Sequence, residues 1–409
     1  MATHSTNGSG PYTHVAEPTY QQRYAHIVGW GMALPENVMT NEDLEAIVET
    51  NDEWIRSRTG IAQRYVANEK ETTASLGLKA AQNALDVADI LPVEVDLVIV
   101  ATSTPENIFP STASLIQNWL GAKRAGAFDL SAACSGFVYG VDMATQAIKS
   151  GSIKTAVVVG TETMSRILDW QDRSTCILFG DGAGAVVLQA SEQPGGVLSS
   201  VLRSDGSGYD LLGVPTVGSC DIAYARDEHK IHKLHMNGRE VFKFATRIVG
   251  DSILHALSDA GLTMDDVKVV VPHQANDRIL QSAARNLKVA PETFFSTVAK
   301  YGNTSAASIP IALCEALEQG KIEDKDNIVF VGFGGGLTWA AMVVEWGHPV
   351  EDRASNINQQ RRQLAYFMAR WRARFRRYRR RFSDRINRVR PQEGRMSRLR
   401  TRLSELSSD

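Results

Sequence analysis

Cys134 lies in Asp129–Met143, DLSAACSGFVYGVDM, between an apolar small-residue run and a segment of helical periodicity. Phe137, Val141, Ala144 and Ile148 share one face of that segment, so the spacing predicts a strand-to-helix turn with the cysteine at the helix start. Unpaired backbone N–H groups and the positive helix end favour a thiolate there, a nucleophile suited to a thioester. Taken alone, Cys134 also reads as a buried small residue. His273, in VPHQAN, follows the apolar run VKVVV, at the carboxyl end of an expected buried strand. An imidazole there can move a proton or hold a developing charge, or simply be a satisfied core histidine. Asn303, in YGNTSAAS, offers amide donors from a small-residue loop, or only makes a turn. The run GFGGGLT (332–338) can aim backbone N–H groups at a carbonyl oxygen or an anion. It lacks a Walker lysine and lies between two strand-like runs, unlike a nucleotide-binding loop. These groups form a coherent set: a thiolate, N–H groups for an oxyanion, and two neutral donors for the enolate left by decarboxylation.

Positioning these residues requires alternating strands and helices. Expected strands are Ala25–Ala33, Val95–Ala101, Ala125–Leu130, Thr155–Gly160, Val267–Val271 and Asn327–Val331; several are apolar on both faces, as in covered parallel sheets. Expected helices cover Thr40–Val48, Ser75–Ala88, Ser111–Leu120, Glu240–Ala260, Arg278–Asn286 and Ile309–Gln319. FGDGAGAVVLQA reads as a glycine-rich turn entering a strand. VDLVIVATS parallels VKVVVPHQ, and TAVVVG with FGDGAGAVVL parallels NIVFVG with FGGGLTWAAMVV. Two similar α/β halves follow from that repetition.

With 409 residues, 43% hydrophobic and 22% charged, the chain can bury a large core. Cys134, Cys176, Cys220 and Cys314 contain no Cys-x-x-Cys pair, which points to a reducing compartment rather than a disulfide framework or zinc site. His229, His232 and His235 in HKIHKLH are spaced poorly for a metal site on a strand, and no carboxylate or cysteine pattern completes them. No apolar run is long enough to span a bilayer. The polar lead 1–24 shows no signal pattern, so a cytoplasmic location with a disordered N-terminus is expected. The net charge of −2 conceals an acidic body and a basic tail: 351–409 holds 18 Arg and 6 acidic residues, and the remainder holds 26 basic and 40 acidic.

From about Ala25 to Trp346 the chain closely resembles the β-ketoacyl-acyl-carrier-protein synthase III family. The matching stretches are NDEWIRSRTGIAQR, SAACSGF, DRSTCILFGDGAGA, MNGREVFK, VPHQAN, YGNTSAAS and GFGGGLTW, in family order and spacing. The resemblance implies a thiolase-like α/β fold, with the two halves layered α-β-α-β-α at 25–195 and 196–348; beyond what it covers, 349–409 is expected to be a basic helical extension. It implies decarboxylative condensation of an acyl-CoA primer with malonyl-acyl carrier protein, initiating fatty acid biosynthesis in a homodimer. Coenzyme A enters as a thioester substrate, with no cofactor and no metal. Carried over residue by residue, Cys134 is the acylated nucleophile, completed by His273 and Asn303. The N–H groups of Cys134 and Gly335 form the oxyanion hole, and Phe333 lies at the decarboxylation site. Trp54 and Arg173 sandwich the adenine, while Asn276 lines the pantetheine channel. Phe109 shapes the partner subunit's acyl pocket, and Lys243 and Arg278 meet the acidic carrier. A related secondary-metabolite condensing or acyl-transferring enzyme would keep the same triad. A membrane or partner scaffold that had lost catalysis would not need it.

The tail departs from that pattern. Leu364, Phe367, Trp371, Phe375, Tyr378, Phe382, Ile386 and Val389 recur every three or four positions among arginines. Residues 358–390 are expected to form a basic amphipathic helix that binds anionic membrane surfaces. Docking of an acidic protein, nucleic-acid binding, fold-back onto the acidic body and a poorly ordered extension are its alternatives.

Overall fold

Apolar runs with no polar face become strands covered on both sides. The computed structural model describes residues 22–215, 232–347 and 360–369, with Trp371, Arg372 and Phe375. Its strands are β1 Tyr24–Ala33, β2 Asn37–Thr40, β3 Gln63–Val66, β4 Leu97–Ala101, β5 Gly126–Leu130, β6 Thr155–Thr163 and β7 Asp181–Ser191, then β8 Gly196–Ser204, β9 Leu212–Gly213, β10 His235–Met236, β11 Val267–Pro272, β12 Asn327–Gly334 and β13 Thr338–Glu345. The helices are α1 Asn41–Glu45, α2 Asp52–Thr59, α3 Thr73–Ala88, α4 Thr112–Leu120, α5 Gly136–Lys149, α6 Arg173–Cys176, α7 Gly238–Ala260, α8 Asp277–Leu287, α9 Val298–Tyr301 and α10 Ser308–Glu318.

Two sheets carry the fold. The first has the order β1-β7-β6-β4-β5, the second β11-β12-β13-β8. β4 runs parallel to β6, and β6–β7 and β7–β1 are antiparallel; β11, β12, β13 and β8 repeat that sequence of pairings. The internal similarity in the chain is therefore a repeat of topology. α5 and α10 lie between the sheets, where Phe137, Val141, Ile148, Ile309 and Leu313 pack with Ile99, Val158, Phe330 and Met342. α3 and α4 cover the outer face of the first sheet, and α7 and α8 that of the second. This is the five-layered α-β-α-β-α arrangement.

Three local expectations change. The glycines of FGDGAGA form no turn: Gly182 and Gly184 lie inside β7. A Cβ on Gly184 would sit 2.7 Å from the Pro310 side chain and 2.8 Å from Ile311 N, so the bare backbone lets α10 rest on the strand. Likewise Gly332–Gly334 belong to β12, and the turn is 335–337. The helix expected at Thr40–Val48 ends at Glu45.

Residues 360–369 are helical and pack against α3 and α4. Tyr366 joins the core beneath those helices. Fold-back onto the acidic body is thus what this part of the tail does. Apart from Trp371, Arg372 and Phe375, the rest of the 358–390 stretch, including Tyr378, Phe382, Ile386 and Val389, lies outside the described residues.

Candidate active site

Cys134 lies in a single 3-10 turn, Ala133–Ser135, between β5 and α5, one turn earlier than a regular helix start. Ala133 adopts φ +46°, a left-handed conformation that the fold holds against its preference and that lifts the next residue out of the strand direction. Ser135 Oγ donates to the Ala132 carbonyl at 2.7 Å and meets Thr338 Oγ1 at 2.8 Å. Thr338 Oγ1 also lies 2.9 and 3.1 Å from the Ala132 and Gly335 carbonyls, its one proton shared among these acceptors. The cysteine turn and the glycine turn are therefore tied together across the two halves. A Cβ on Gly334 would stand 2.6 Å from Cys134 N, so the glycine allows that approach. Cys134, Ser305, Gly335 and Thr338 line a cavity of about 780 Å³ whose apolar wall includes Met164, Ile167, Phe179 and Leu234.

The expected thiolate is not the resting state. Burial pushes the Cys134 thiol up to about 12; the buried Glu162 carboxylate adds to this, and a hydrogen bond to Ser305 Oγ at 3.5 Å opposes it. Desolvation of the anion outweighs the helix end. His273 is buried after β11, its backbone N–H donating to Val331 O at 2.7 Å, with its ring edge-on to Phe333 at 5.2 Å. Burial holds its pKa down at about 3, so the imidazole is neutral. Its Nδ1 is hydrogen-bonded to Ser308 Oγ at 2.7 Å. Asn303 Oδ1 accepts the Ser305 N–H at 2.9 Å, which orients the amide and leaves Nδ2 to donate. Asn303 N and O bond to the strand-like Leu178–Gly180 segment, fixing that loop against the first half.

Three residues that sequence reasoning passed over support this set. Ser305 contacts the thiol, and Ser308 holds the imidazole. Glu162, fully buried at the end of β6, accepts from Thr102 Oγ1, Ser103 N, and Thr104 N and Oγ1. Ala306 N also approaches it at 3.5 Å, so one carboxylate anchors the loop before α4 and the loop of Asn303. Both serines stand inside the quoted YGNTSAAS motif, but a serine's type does not announce its partner. Glu162 stands in the polar end of a strand, Thr161–Thr163, where its type reads as exposed rather than as a buried anchor.

The peripheral residues divide. The Arg173 guanidinium lies directly over the Trp54 ring, 5.1 Å from its centroid, and donates to Glu49 O. A purine between them needs two stacking contacts of about 3.5–4 Å each, so this pair must part to admit one. Both ends of the Asn276 amide are engaged, Oδ1 by Arg278 N and Nδ2 by Arg58 O, at the start of α8. Lys243 pairs with Glu240 at 2.8 Å, and exposed Arg278 lies over Phe242, on neighbouring parts of α7 and α8. Phe109 is 84% exposed and does not line this chain's own cavity, although its neighbour Ile108 does. In HKIHKLH, His235 bonds to Asp210 O, and His229 lies outside the described residues.

Family models described as 3-oxoacyl-[acyl-carrier-protein] synthase III and its C-terminal part match residues 128–206 and 257–346. The β-ketoacyl-[acyl-carrier-protein] synthase III of Roseiflexus sp. strain RS-1 is 50% identical over 324 residues, covering 79% of this chain and 98% of that protein. This chain belongs to the 3-oxoacyl-[acyl-carrier-protein] synthase III family. Among solved structures, the 3-oxoacyl-[acyl-carrier-protein] synthase III of Aquifex aeolicus VF5 aligns with a TM-score of 0.74 at 46% identity, over 79% of this chain and all of that one. The priming β-ketosynthase of the R1128 polyketide pathway aligns with a TM-score of 0.76 at 35% identity, over 82% of this chain and all of that one. Membership makes the chain a condensing acyltransferase of fatty acid biosynthesis on a thiolase-like fold.

Proposed function

We propose that Cys134 takes the acyl group from an acyl-CoA primer and that His273 and Asn303 serve the decarboxylation of malonyl-acyl carrier protein. In the first half-reaction the Cys134 sulfur bonds to the thioester carbonyl carbon, and the carbon–sulfur bond to coenzyme A breaks. The proton given up by the thiol ends on the departing coenzyme A. The N–H groups of Cys134 and Gly335 hold the oxyanion. In the second, loss of carbon dioxide leaves an enolate whose oxygen accepts hydrogen bonds from His273 Nε2 and Asn303 Nδ2. The enolate carbon then bonds to the acyl carbon, and the Cys134 thiolate leaves, giving the 3-oxoacyl-carrier product.

The observation that carries this reading is the pairing at the far end of each donor. Ser308 occupies Nδ1 of a neutral imidazole, and Ser305 N–H occupies Oδ1 of the amide. With the Ser308 hydroxyl donating to Nδ1, the neutral imidazole carries its proton on Nε2, and each group then has a donor to present. His273→Ala and Asn303→Ala should lower the release of carbon dioxide from malonyl-carrier at least a hundredfold while leaving single-turnover acylation of Cys134 within about tenfold. Loss of acylation with decarboxylation intact would reverse the assignment. Giving the same protein a panel of straight, branched and aromatic acyl-CoA primers with malonyl-carrier separates a fatty acid role from one like the R1128 relative's.

The wider reading has four parts. Trp54 and Arg173 bind the adenine and Asn276 the pantetheine arm. The carrier docks near Lys243 and Arg278. The enzyme acts as a homodimer in which Phe109, an exposed aromatic next to the cavity-lining Ile108, enters the partner's acyl pocket. The body works in the cytoplasm and attaches to anionic membrane surfaces through the arginine-rich tail; its charge and its apolar periodicity support that attachment.

A further inference from the structure

The C-terminal helix is packed the opposite way round from a helix facing water. Its body side carries Arg362, Tyr366 and Ala369, all buried. Leu364, Phe367, Trp371 and Phe375 are 61%, 62%, 55% and 55% exposed. At 3.6 residues per turn these four centre about 180° from the docked face. Trp371 and Phe375 stack on each other with centroids 5.6 Å apart, forming one flat aromatic surface. Inside, an arginine is held by two aspartates; outside, four large apolar side chains face away from the protein. Water as the outer neighbour favours the reverse.

One flank of the helix adds a second feature. A cleft of about 650 Å³ opens between it and the body. Lys123, Arg361 and Arg372 line it with Asn118 and Gln117, whose amide also donates to Ala122 O, and with the apolar Val93 and Ala365. Cations beside an amide and apolar side chains match a phosphate with an attached acyl-glycerol part. Lys123 and the two amides come from the body, so the cleft exists only while the helix is docked.

We infer that the docked helix and the body together form one lipid-surface site, in which the Leu364–Phe375 stripe sinks into an anionic bilayer's headgroup boundary while the flanking cleft takes a phospholipid phosphate. Charge decides for a membrane over a second copy of the chain: the stripe is embedded in a segment that holds no acidic residue from 353 to 383, and 351–409 is net +12. Two such faces would repel each other, whereas an anionic surface attracts both. This inference rests on the tail attachment proposed above and specifies its geometry. The helix is a fixed fin held against α3, so attachment also orients the catalytic body.

Co-sedimentation of the full chain with vesicles of phosphatidylglycerol and phosphatidylcholine, and with phosphatidylcholine alone, tests it. Binding is expected to the anionic vesicles and to weaken with salt. The triple variant Phe367→Ser, Trp371→Ser, Phe375→Ser should lose at least tenfold in affinity, and Lys123→Glu, on the body, several-fold. Cys134 acylation should be unchanged in both, showing that they fold. If the full chain ignores anionic vesicles, both the attachment and the site fail. If a chain ending at Gly347 loses binding but the triple variant and Lys123→Glu bind as the parent does, attachment by the tail stands and this site is overturned. A change of molecular mass in solution on the triple substitution, without vesicle binding by the parent, would mark the face as a contact between copies instead.

Discussion

At Cys134 two opposed effects act on one sulfur. The turn before α5 sets it at the positive end of a helix, but the side chain is 6% exposed and loses the water that would solvate a thiolate. The result is a thiol at about 12, and burial likewise holds His273 down at about 3. Both are uncharged across the neutral range. Single-turnover acylation, followed by quenching and weighing the protein, is therefore expected to speed up continuously from pH 6 to 9, because the thiolate fraction is still rising throughout. A plateau beginning below pH 8 would contradict a buried thiol. The acyl group should map to Cys134 alone. Among the described cysteines Cys134 is the one that lines the cavity, whereas Cys176 and Cys314 are buried away from it, Cys314 within α10.

At the scale of elements, the site depends on how closely backbone can approach backbone. β12 reaches the cysteine turn at Gly334, where a methyl group would meet Cys134 N at 2.6 Å and Ala133 Cβ at 2.9 Å. Neither neighbour is the end of a flexible side chain. Gly334→Ala should lower acylation at least tenfold and cost about 1–3 kcal/mol of stability, read by single-turnover rate and by urea unfolding; wild-type acylation would show that the cysteine turn does not need β12 so near. A different element-level balance holds the tail. α3 closes with Asp86 and its capping residue Asp89 and has no basic residue in its last turn, a poor match for the negative end of a helix. Arg362 supplies the missing cation, pairing with Asp86 at 2.9 Å and with Asp89. Gly121, ending α4, leaves room for Ala369, since a Cβ there would lie 3.1 Å from Ala369 Cβ.

For the whole molecule, this docking joins a segment beyond the two halves to the core of the first. Removing it exposes the cluster around Tyr366 and leaves Asp86 and Asp89 without their cation. A chain ending at Gly347 is expected to acylate Cys134 at the parental rate but to melt a few degrees lower, consistent with losing a buried tyrosine worth about 2 kcal/mol and a mostly shielded ion pair. An unchanged melting temperature would show that the docked helix contributes nothing net to stability. The proposed catalytic centre has the same whole-molecule character: Cys134 comes from the first half, His273, Asn303 and the glycine turn from the second, and the Ser135–Thr338 hydrogen bond crosses between them.

What the sequence determined by itself was what local pattern and motif can encode. The repeated runs VDLVIV/VKVVV and TAVVVG/NIVFVG specified two α/β halves, because strands buried on both faces must be apolar throughout. The order and spacing of SAACSGF, VPHQAN, YGNTSAAS and GFGGGLTW named the family. Tertiary structure decided the rest, because those properties arise from neighbours distant in sequence. The charge state of Cys134 follows from burial among Glu162, Ser305 and β12, which no local pattern reports. The glycines of FGDGAGA looked like a turn and are a strand, since the helix pressing on them lies over a hundred residues away. The tail's apolar stripe was legible at three- and four-residue spacing. Which face meets the body was not, because a buried arginine defines that face, and its aspartates lie more than 270 residues earlier.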